Sequence, residues 1–285
     1  MWRMPKELTC RKVKSFDGVT LNVCSNSWGG SNAPHLILLH GSPGKLSNWR
    51  YQIDEFVRRG VHVVAPDLRG YGDSGKPPSV RLEDYVKDLK VIADAVGADL
   101  RDSVIAGHSF GTMVALAYCR EFDCGSLALI GPVLRLRTDF TDWFIRNLPP
   151  AIWKRLFFTN NPLTRSMYRK LFFSSRVSEE VFREFVEDMA DYVASLPPHV
   201  FKYLYSMLDY DARDYAPKAR LAGEAAVIVG DEDRVTPPED ARVVAQSLPK
   251  AELVVIEGAG HMVLYERPEE VNKAISKLLE SLRRR

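Results

Sequence analysis

Short apolar runs alternate along most of the chain with longer segments in which apolar residues recur every three or four positions. The runs at 35–39, 61–65, 103–106 and 126–130 are rich in Val, Ile, Leu and Ala, which is typical of strands buried on both faces. Segments between them, such as 82–96, have helical spacing. This alternation predicts a parallel sheet with helices on both faces and functional loops at the carboxyl ends of the strands.

The same pattern extends to both ends of the chain. Residues 11–27 predict two strands joined by a turn at Asp17-Gly18, because Asp-Gly between alternating segments favours a hairpin. Strand patterns return at 225–229 and 252–256, and an amphipathic helix follows the second of them. We therefore predict an α/β fold with a mostly parallel eight-stranded sheet flanked by helices.

Residues 134–216 have a different pattern. They contain no convincing strand but several aromatic amphipathic segments, which the proline pairs at 149–150 and 197–198 interrupt. The sequence thus predicts a helical cap inserted after the sixth strand. The predicted domains are a core formed by 1–133 and 217–285, with the cap between these two parts.

Ser109 lies at the centre of Gly107-His108-Ser109-Phe110-Gly111, where a strand pattern gives way to a helix pattern. A strand that enters a tight turn and leaves as a helix is the context in which Gly-x-Ser-x-Gly presents a nucleophile. Side chains at 107 and 111 would meet the adjacent strand and helix, so glycine is required there. Ser109 is therefore the candidate nucleophile.

Candidates for a base and an acid follow two other strands. A serine hydroxyl becomes a good nucleophile when a base takes its proton, and an acid must orient that base. His261 comes after the last predicted strand, and Asp233 after the strand before it. Asp231 and Glu232 lie in the same loop and are alternative acids, whereas the loop after the strand at 126–130 begins Gly-Pro and offers none.

Five motifs together give the chain a resemblance to the α/β-hydrolase fold superfamily over nearly its whole length. They are His40-Gly-Ser-Pro-Gly44, Asp67-Leu-Arg-Gly-Tyr-Gly-Asp-Ser74, Gly107-His-Ser-Phe-Gly111, Gly230-Asp-Glu-Asp233 and Gly258-Ala-Gly-His261. The resemblance implies a triad of Ser109, Asp233 and His261, with Asp233 favoured by its spacing from Gly230. It also implies an oxyanion hole formed by the backbone N–H groups of Ser42 and Phe110.

Residues 67–77 resemble most the epoxide hydrolase and haloalkane dehalogenase branch of that superfamily. Those enzymes have an aspartate where this chain has Ser109, so the serine implies ester hydrolysis through an acyl-serine. The leading hypothesis is a cofactor-independent serine carboxylesterase for small-molecule esters of short to medium acyl chain. The alternatives are another hydrolase on the same triad, either an aminopeptidase or a carbon–carbon bond hydrolase, and a non-hydrolytic ligand receptor.

The substrate pocket is predicted between the cap and the sheet. Trp143 and Trp153 of the cap are expected to face it, and His40 and His108 to flank it in a structural or pocket-lining role. Because the basic side chains of amphipathic helices point to water, the face toward the sheet should be apolar. The pocket is therefore predicted to hold an uncharged acyl or alcohol group.

Charge and composition exclude several other classes of protein. Lys and Arg number 39 against 37 Asp and Glu, a net charge of +2, which argues against nucleic-acid binding. No apolar run is long enough to span a bilayer and residues 1–14 lack a signal-peptide core, so we expect a cytoplasmic monomer or homodimer.

The four cysteines, at 10, 24, 119 and 124, lack metal-site spacing, so the sequence predicts no metal centre. We expect them to be free thiols. A bridge between Cys10 and Cys24, which lie on strands predicted to pair, is the alternative for a heat-adapted protein.

Overall fold

A computed structural model describes residues 2–29, 33–138 and 140–285, with the backbone alone for residues 140 and 141. Within these ranges eight strands form one sheet. Their bounds are β1 Thr9–Lys14, β2 Thr20–Ser25, β3 His35–Leu39, β4 His62–Asp67, β5 Val104–His108, β6 Ser126–Ile130, β7 Ala225–Gly230 and β8 Ala251–Ile256.

The strands are ordered β1-β2-β4-β3-β5-β6-β7-β8 across the sheet. The β1–β2 and β2–β4 pairs are antiparallel, and all other neighbouring strands are parallel. In β3, Ile37 and Leu39 belong to the core on one face, and Leu36 and Leu38 to the core on the other. The predicted mostly parallel, eight-stranded sheet is confirmed.

Helices cover both faces of this sheet. Their bounds are α1 Arg50–Arg58, α2 Leu82–Val96, α3 Phe110–Glu121, α4 Phe140–Asn147, α5 Pro150–Phe157, α6 Pro162–Phe172, α7 Glu179–Ser195, α8 Ala212–Tyr215, α9 Pro238–Ser247, α10 Val263–Glu266 and α11 Pro268–Arg283. Helices α1 and α11 pack in the core on one face, and α2, α3 and α9 on the other. None of the helices in the described ranges is both long and apolar enough to cross a bilayer.

The chain between β6 and β7 folds mainly as α4 to α7 and a 3₁₀ stretch, Pro198–Met207. The N–H of Ala212 donates to the carbonyl of Leu134 (2.8 Å), and Arg135 pairs with Asp211 in an antiparallel bridge. The two ends of this helical stretch, at 134–135 and 211–212, therefore lie side by side. We call residues 134–216 the helical segment; their status as a separate domain stays a prediction.

Disulfide bonds link Cys10 to Cys24 and Cys119 to Cys124. Cys10 and Cys24 are direct cross-strand partners in the β1–β2 hairpin, so their side chains face each other. The prediction of free thiols is therefore wrong, and the bridge considered as the alternative is present. The second bridge joins the end of α3 to the turn before β6, a proximity that strand and helix patterns do not reveal.

Candidate active site

Ser109 stands in the turn between β5 and α3, with backbone torsions φ 49° and ψ −116°. A non-glycine residue in this region carries backbone strain, which often marks a functional position. A Cβ added to Gly107 would overlap the backbone of Gly111, and one added to Gly111 would overlap the carbonyl of Leu39. The two glycines thus let β3, β5 and α3 meet around the serine, as the motif predicted.

His261 and Asp233 follow β8 and β7, and their side chains are in contact. The His261 Nδ1 atom lies 2.9 Å from Oδ2 of Asp233, and both side chains are almost fully buried. Because an ionised carboxylate only accepts hydrogen bonds, Nδ1 carries the proton when the ring is neutral. The other ring nitrogen, Nε2, is then free to accept a proton.

The two alternative acids have other partners. Oδ1 of Asp231 accepts from the N–H groups of Gly258 (2.7 Å) and Ala259 (3.3 Å), in the loop that leads to His261. Glu232 accepts from the N–H and the hydroxyl of Ser175, at 2.8 and 2.9 Å. Of these three carboxylates, Asp233 is the one that contacts the imidazole in the described chain.

Hydrogen bonds also fix the Asp233 carboxylate. Its Oδ1 accepts from the N–H groups of Val235 and Thr236, both at 2.8 Å, and its Oδ2 accepts from the Thr236 hydroxyl at 2.9 Å. Burial raises the pKa of Asp233, but His261 and these hydrogen bonds outweigh burial and hold the pKa below its usual range. Asp233 is therefore ionised at neutral pH.

Sequence reasoning did not single out Thr236, although its hydroxyl also lies 3.2 Å from Nδ1 of His261. The available signal was a threonine three residues after an aspartate, where its N–H and hydroxyl can reach the carboxylate. Gly131, at φ 53°, faces the same group: a Cβ there would lie 3.1 Å from Oγ1 of Thr236 and 3.2 Å from Nδ1 of His261. A side chain at 131 would crowd the imidazole.

The two residues whose backbone N–H groups the resemblance names, Ser42 and Phe110, belong to turns that meet at Ser109. Phe110 is the first residue of α3, where the helix offers no carbonyl to the N–H. Ser42 follows Gly41 in the turn after β3, and a Cβ on Gly41 would lie 3.2 Å from Cβ of Ser109. Ser42 and Ser109 line the same cavity.

This cavity has a volume of about 280 Å³ and lies between the sheet and the helical segment. Ser109 and His261 line it from the sheet side. The opposite wall is mostly apolar, with Met167, Leu171 and Phe172 from α6 and Phe185, Met189 and Val193 from α7. Within the ranges that the structure describes, no group of three or more His, Cys, Asp or Glu side chains is arranged to hold a metal ion.

Two of the predicted pocket residues in the helical segment do not line the cavity. Trp143 is 59% exposed on α4, and Trp153 is 1% exposed inside the segment. Trp153 packs against the rings of Phe158 and Phe201, with centroids 5.9 and 5.1 Å away, and those two rings line the cavity in its place. The prediction that Trp143 and Trp153 face the cavity is therefore wrong. The sequence shows that these helices carry aromatic residues, but not which of those residues face the cavity.

The two histidines have different positions. His40 is fully buried and does not line the cavity: its Nε2 accepts from the N–H of Leu68 (2.9 Å), and its Nδ1 lies 2.7 Å from the Gly41 carbonyl. A pocket-lining role for His40 is therefore wrong, and these contacts fit the structural role that the sequence left open. His108 does line the cavity, and its Nε2 lies 3.0 Å from the carbonyl oxygen of His261. His108 therefore holds the backbone of the candidate base.

Residues 36–274 match the family model described as the alpha/beta hydrolase family, and the chain belongs to that family. It is 28% identical over 280 residues to AB hydrolase superfamily protein YisY from Bacillus subtilis (strain 168), covering 94% of this chain and 98% of the relative. It is also 28% identical over 276 residues to epoxide hydrolase 3 from Xenopus tropicalis, covering 88% of this chain and 73% of that protein.

Among solved structures, a thermophilic esterase from Thermogutta terrifontis is similar, with a TM-score of 0.75 and 25% identity. The match covers 96% of this chain and 99% of the esterase. The chain is thus an α/β hydrolase that is similar to proteins named for both ester and epoxide hydrolysis.

Proposed function

We propose that the protein is a serine hydrolase that cleaves small carboxylic esters of short to medium acyl chain through an acyl-serine intermediate. The observation that carries the proposal is the 2.9 Å contact between His261 Nδ1 and Asp233 Oδ2, beside a cavity that Ser109 also lines. This contact leaves Nε2 as the proton acceptor that a serine nucleophile requires. Similarity to a solved esterase supports the same reaction class.

In the acylation step, Oγ of Ser109 attacks the ester carbonyl carbon while Nε2 of His261 takes the hydroxyl proton. The carbonyl electron pair moves onto its oxygen, and the N–H groups of Ser42 and Phe110 donate to the resulting oxyanion. His261 then gives its proton to the alcohol oxygen as the carbon–oxygen bond breaks. The alcohol leaves and the acyl group stays on Ser109.

Deacylation repeats these steps with water. Nε2 of His261 takes a proton from a water molecule whose oxygen attacks the acyl carbonyl, and the second oxyanion occupies the same site. The proton returns to Oγ of Ser109 as the acyl–oxygen bond breaks, which releases the carboxylic acid. Asp233 stays ionised throughout and stabilises the imidazolium in both halves of the cycle.

A serine at position 109 does not suit epoxide hydrolysis. Attack of a serine oxygen on an epoxide carbon forms an ether, which has no carbonyl carbon for an activated water to attack. Attack on an ester carbonyl instead forms a second ester, which water hydrolyses. Similarity to epoxide hydrolase 3 therefore supports the shared fold rather than a shared substrate.

The cavity favours an uncharged acyl group of limited length. Its volume of about 280 Å³ is just below the range of about 300–1,000 Å³ that is usual for ligand pockets. Burial of each methylene contributes about 0.8 kcal/mol, which is about fourfold in kcat/KM. Activity should therefore rise with chain length until the cavity is full and then fall.

The test is kcat/KM for p-nitrophenyl esters from acetyl to palmitoyl, with Ser109→Ala as the blank. We expect an optimum at a short or medium chain. An optimum at the longest chains that an oil–water interface sharpens would indicate a lipase. If no ester is turned over and Ser109 does not react with acylating probes, the proposal is wrong and a ligand receptor on this fold is favoured.

A further inference from the structure

Tyr71 is a fully buried tyrosine that the proposed mechanism does not use. It lies in the sequence motif at 67–74, in the turn after β4. Its ring meets the rings of His40, Phe110 and Tyr203 edge-on, with centroids 5.6, 6.4 and 6.2 Å away. Rings on several sides therefore fix both the position and the direction of its hydroxyl.

The Tyr71 hydroxyl lies 2.7 Å from Oγ of Ser42. In the part of the chain that the structure describes, Ser42 is the hydrogen-bond partner of this phenol. Burial raises the pKa of Tyr71, so the phenol keeps its proton and must place it on an acceptor. If Ser42 were the donor instead, the phenol hydrogen would be buried without an acceptor, so Tyr71 donates and Oγ of Ser42 accepts.

This direction leaves the hydrogen of the Ser42 hydroxyl free for another acceptor. Ser42 is half-buried, lines the cavity with Ser109, and follows Gly41, which packs against Ser109. Donation by Tyr71 also polarises the Ser42 hydroxyl and makes it a stronger donor. The side chain of Ser42 therefore presents a polarised O–H beside the backbone N–H that the mechanism already uses.

We propose that the Ser42 hydroxyl is a third hydrogen-bond donor to the oxyanion, and that Tyr71 is the positioning residue that orients it. The inference rests on the proposed ester hydrolysis. A donor aimed at the place where charge develops stabilises the transition state more than the neutral ester, so its removal lowers kcat more than it raises KM.

The experiment compares Ser42→Ala, Tyr71→Phe and the double variant on the best ester of the acyl series. Ser42→Ala keeps the backbone N–H and should lower kcat by about 10²-fold with KM changed by less than about threefold. Tyr71→Phe should lower kcat by about tenfold, and the double variant should equal Ser42→Ala, because Tyr71 acts through Ser42.

Tyr85→Phe is the matched control. Tyr85 is also buried and packs on Phe110, but its hydroxyl donates to the carbonyl of Arg69 (3.1 Å) rather than to Ser42. Its loss removes a buried hydrogen bond of the same kind, so it should lower the melting temperature and leave kcat unchanged.

A second readout uses inhibitors. A trifluoromethyl ketone that adds to Ser109 forms an oxyanion, whereas the matched methyl ketone stays largely neutral. Ser42→Ala should weaken binding of the trifluoromethyl ketone by about the same factor as it lowers kcat. Binding of the methyl ketone should be unchanged. If Tyr71→Phe does not fold, Ser42→Ala, which lies outside the aromatic cluster, still decides whether the Ser42 hydroxyl is a donor to the oxyanion.

Wild-type kcat in Ser42→Ala would overturn the inference. If Tyr71→Phe lowers kcat by the same factor in the Ser42→Ala variant as in the wild type, the positioning role of Tyr71 is overturned. Both results differ from a failure of the proposed function, which would appear as wild-type protein that turns over no ester.

Discussion

The two sides of the cavity are held in place by different interactions. On the sheet side, backbone turns carry Ser109 and His261, and Asp233 is fixed by two N–H groups, a hydroxyl and the imidazole. On the helical side, the wall consists mostly of apolar side chains, among them those of α6 and α7, which pack on one another. Changes on the first side should therefore alter the rate by orders of magnitude, and changes on the second should alter substrate preference.

Within the helical segment, α7 is attached to the sheet side by ion pairs and hydrogen bonds. The buried guanidinium of Arg50 contacts Glu184 (2.7 Å) and Asp188 (2.5 Å), and the Tyr192 hydroxyl donates to the Gly44 carbonyl (2.7 Å). The polar contacts that the structure describes for α5, such as Lys154 Nζ to the Leu196 carbonyl (2.8 Å), stay within the segment. The end of α6 is also attached, because the N–H of Met262 donates to the Phe172 carbonyl (2.8 Å). We infer that α7 and the end of α6 are the fixed parts of the cavity wall.

The largest difference in kcat is expected between variants of two aspartates in the same loop. Asp233→Asn should lower kcat by about 10⁴-fold, because the amide no longer selects the correct tautomer of His261 or stabilises the imidazolium. Asp231→Asn should cost less than about tenfold, since its amide oxygen can still accept from Gly258 and Ala259. Steady-state kinetics on both variants checks this. The reverse order of effects would mean that Asp231 is the acid.

Low pH should destabilise the folded protein through His108, which lies on the sheet side of the cavity. Burial, and then the nearby His261, lower the pKa of His108 to about 3. The unfolded chain has a histidine pKa of about 6.5, so between these values it binds a proton that the folded protein does not. The free energy of unfolding should therefore decrease as the pH is lowered through this window, by about 1.4 kcal/mol per pH unit from this residue.

Urea unfolding at several pH values measures that slope. His108→Gln removes the titrating ring and should have a shallower slope between about pH 6 and pH 4, whatever its stability at neutral pH. A variant slope equal to that of the wild type would show that His108 does not cause the acid sensitivity.

A smaller effect on kcat/KM is expected from substitutions on the helical side of the cavity. Phe158→Ala enlarges the cavity and should move the preferred acyl chain to greater length, with a gain of about fourfold in kcat/KM for each additional methylene buried. Trp143→Ala is the matched control, because Trp143 is exposed and does not line the cavity. The acyl series on both variants checks this. A shifted optimum in Trp143→Ala alone would contradict the account of the wall.

The parts of the site that backbone geometry determines could be predicted from the sequence. The glycines around Ser109 and the strand-end positions of Asp233 and His261 leave a pattern along the chain, because sheet topology brings strand ends together. The cavity wall leaves no such pattern. Trp143, Trp153 and Phe158 are all aromatic residues of the same amphipathic stretch, and only tertiary packing decides which of them faces the cavity.

One polar contact and one disulfide bond also could not be predicted from the sequence. The Tyr71–Ser42 contact joins the turns after β4 and β3, which are adjacent in the sheet but 29 residues apart in the chain. The Cys119–Cys124 bridge depends on how the chain turns after α3. The first contact requires the relative position of two loops and the second the path of the chain after a helix, and apolar periodicity encodes neither.

Covalent labelling by a fluorophosphonate, followed by mass spectrometry of the modified peptide, tests most directly whether Ser109 is an activated nucleophile. We predict one label per chain, on Ser109, with labelling abolished in Ser109→Ala and slowed by about 10⁵-fold or more in His261→Ala. A label on another residue, or ester hydrolysis at the wild-type rate by Ser109→Ala, would contradict the acyl-serine mechanism.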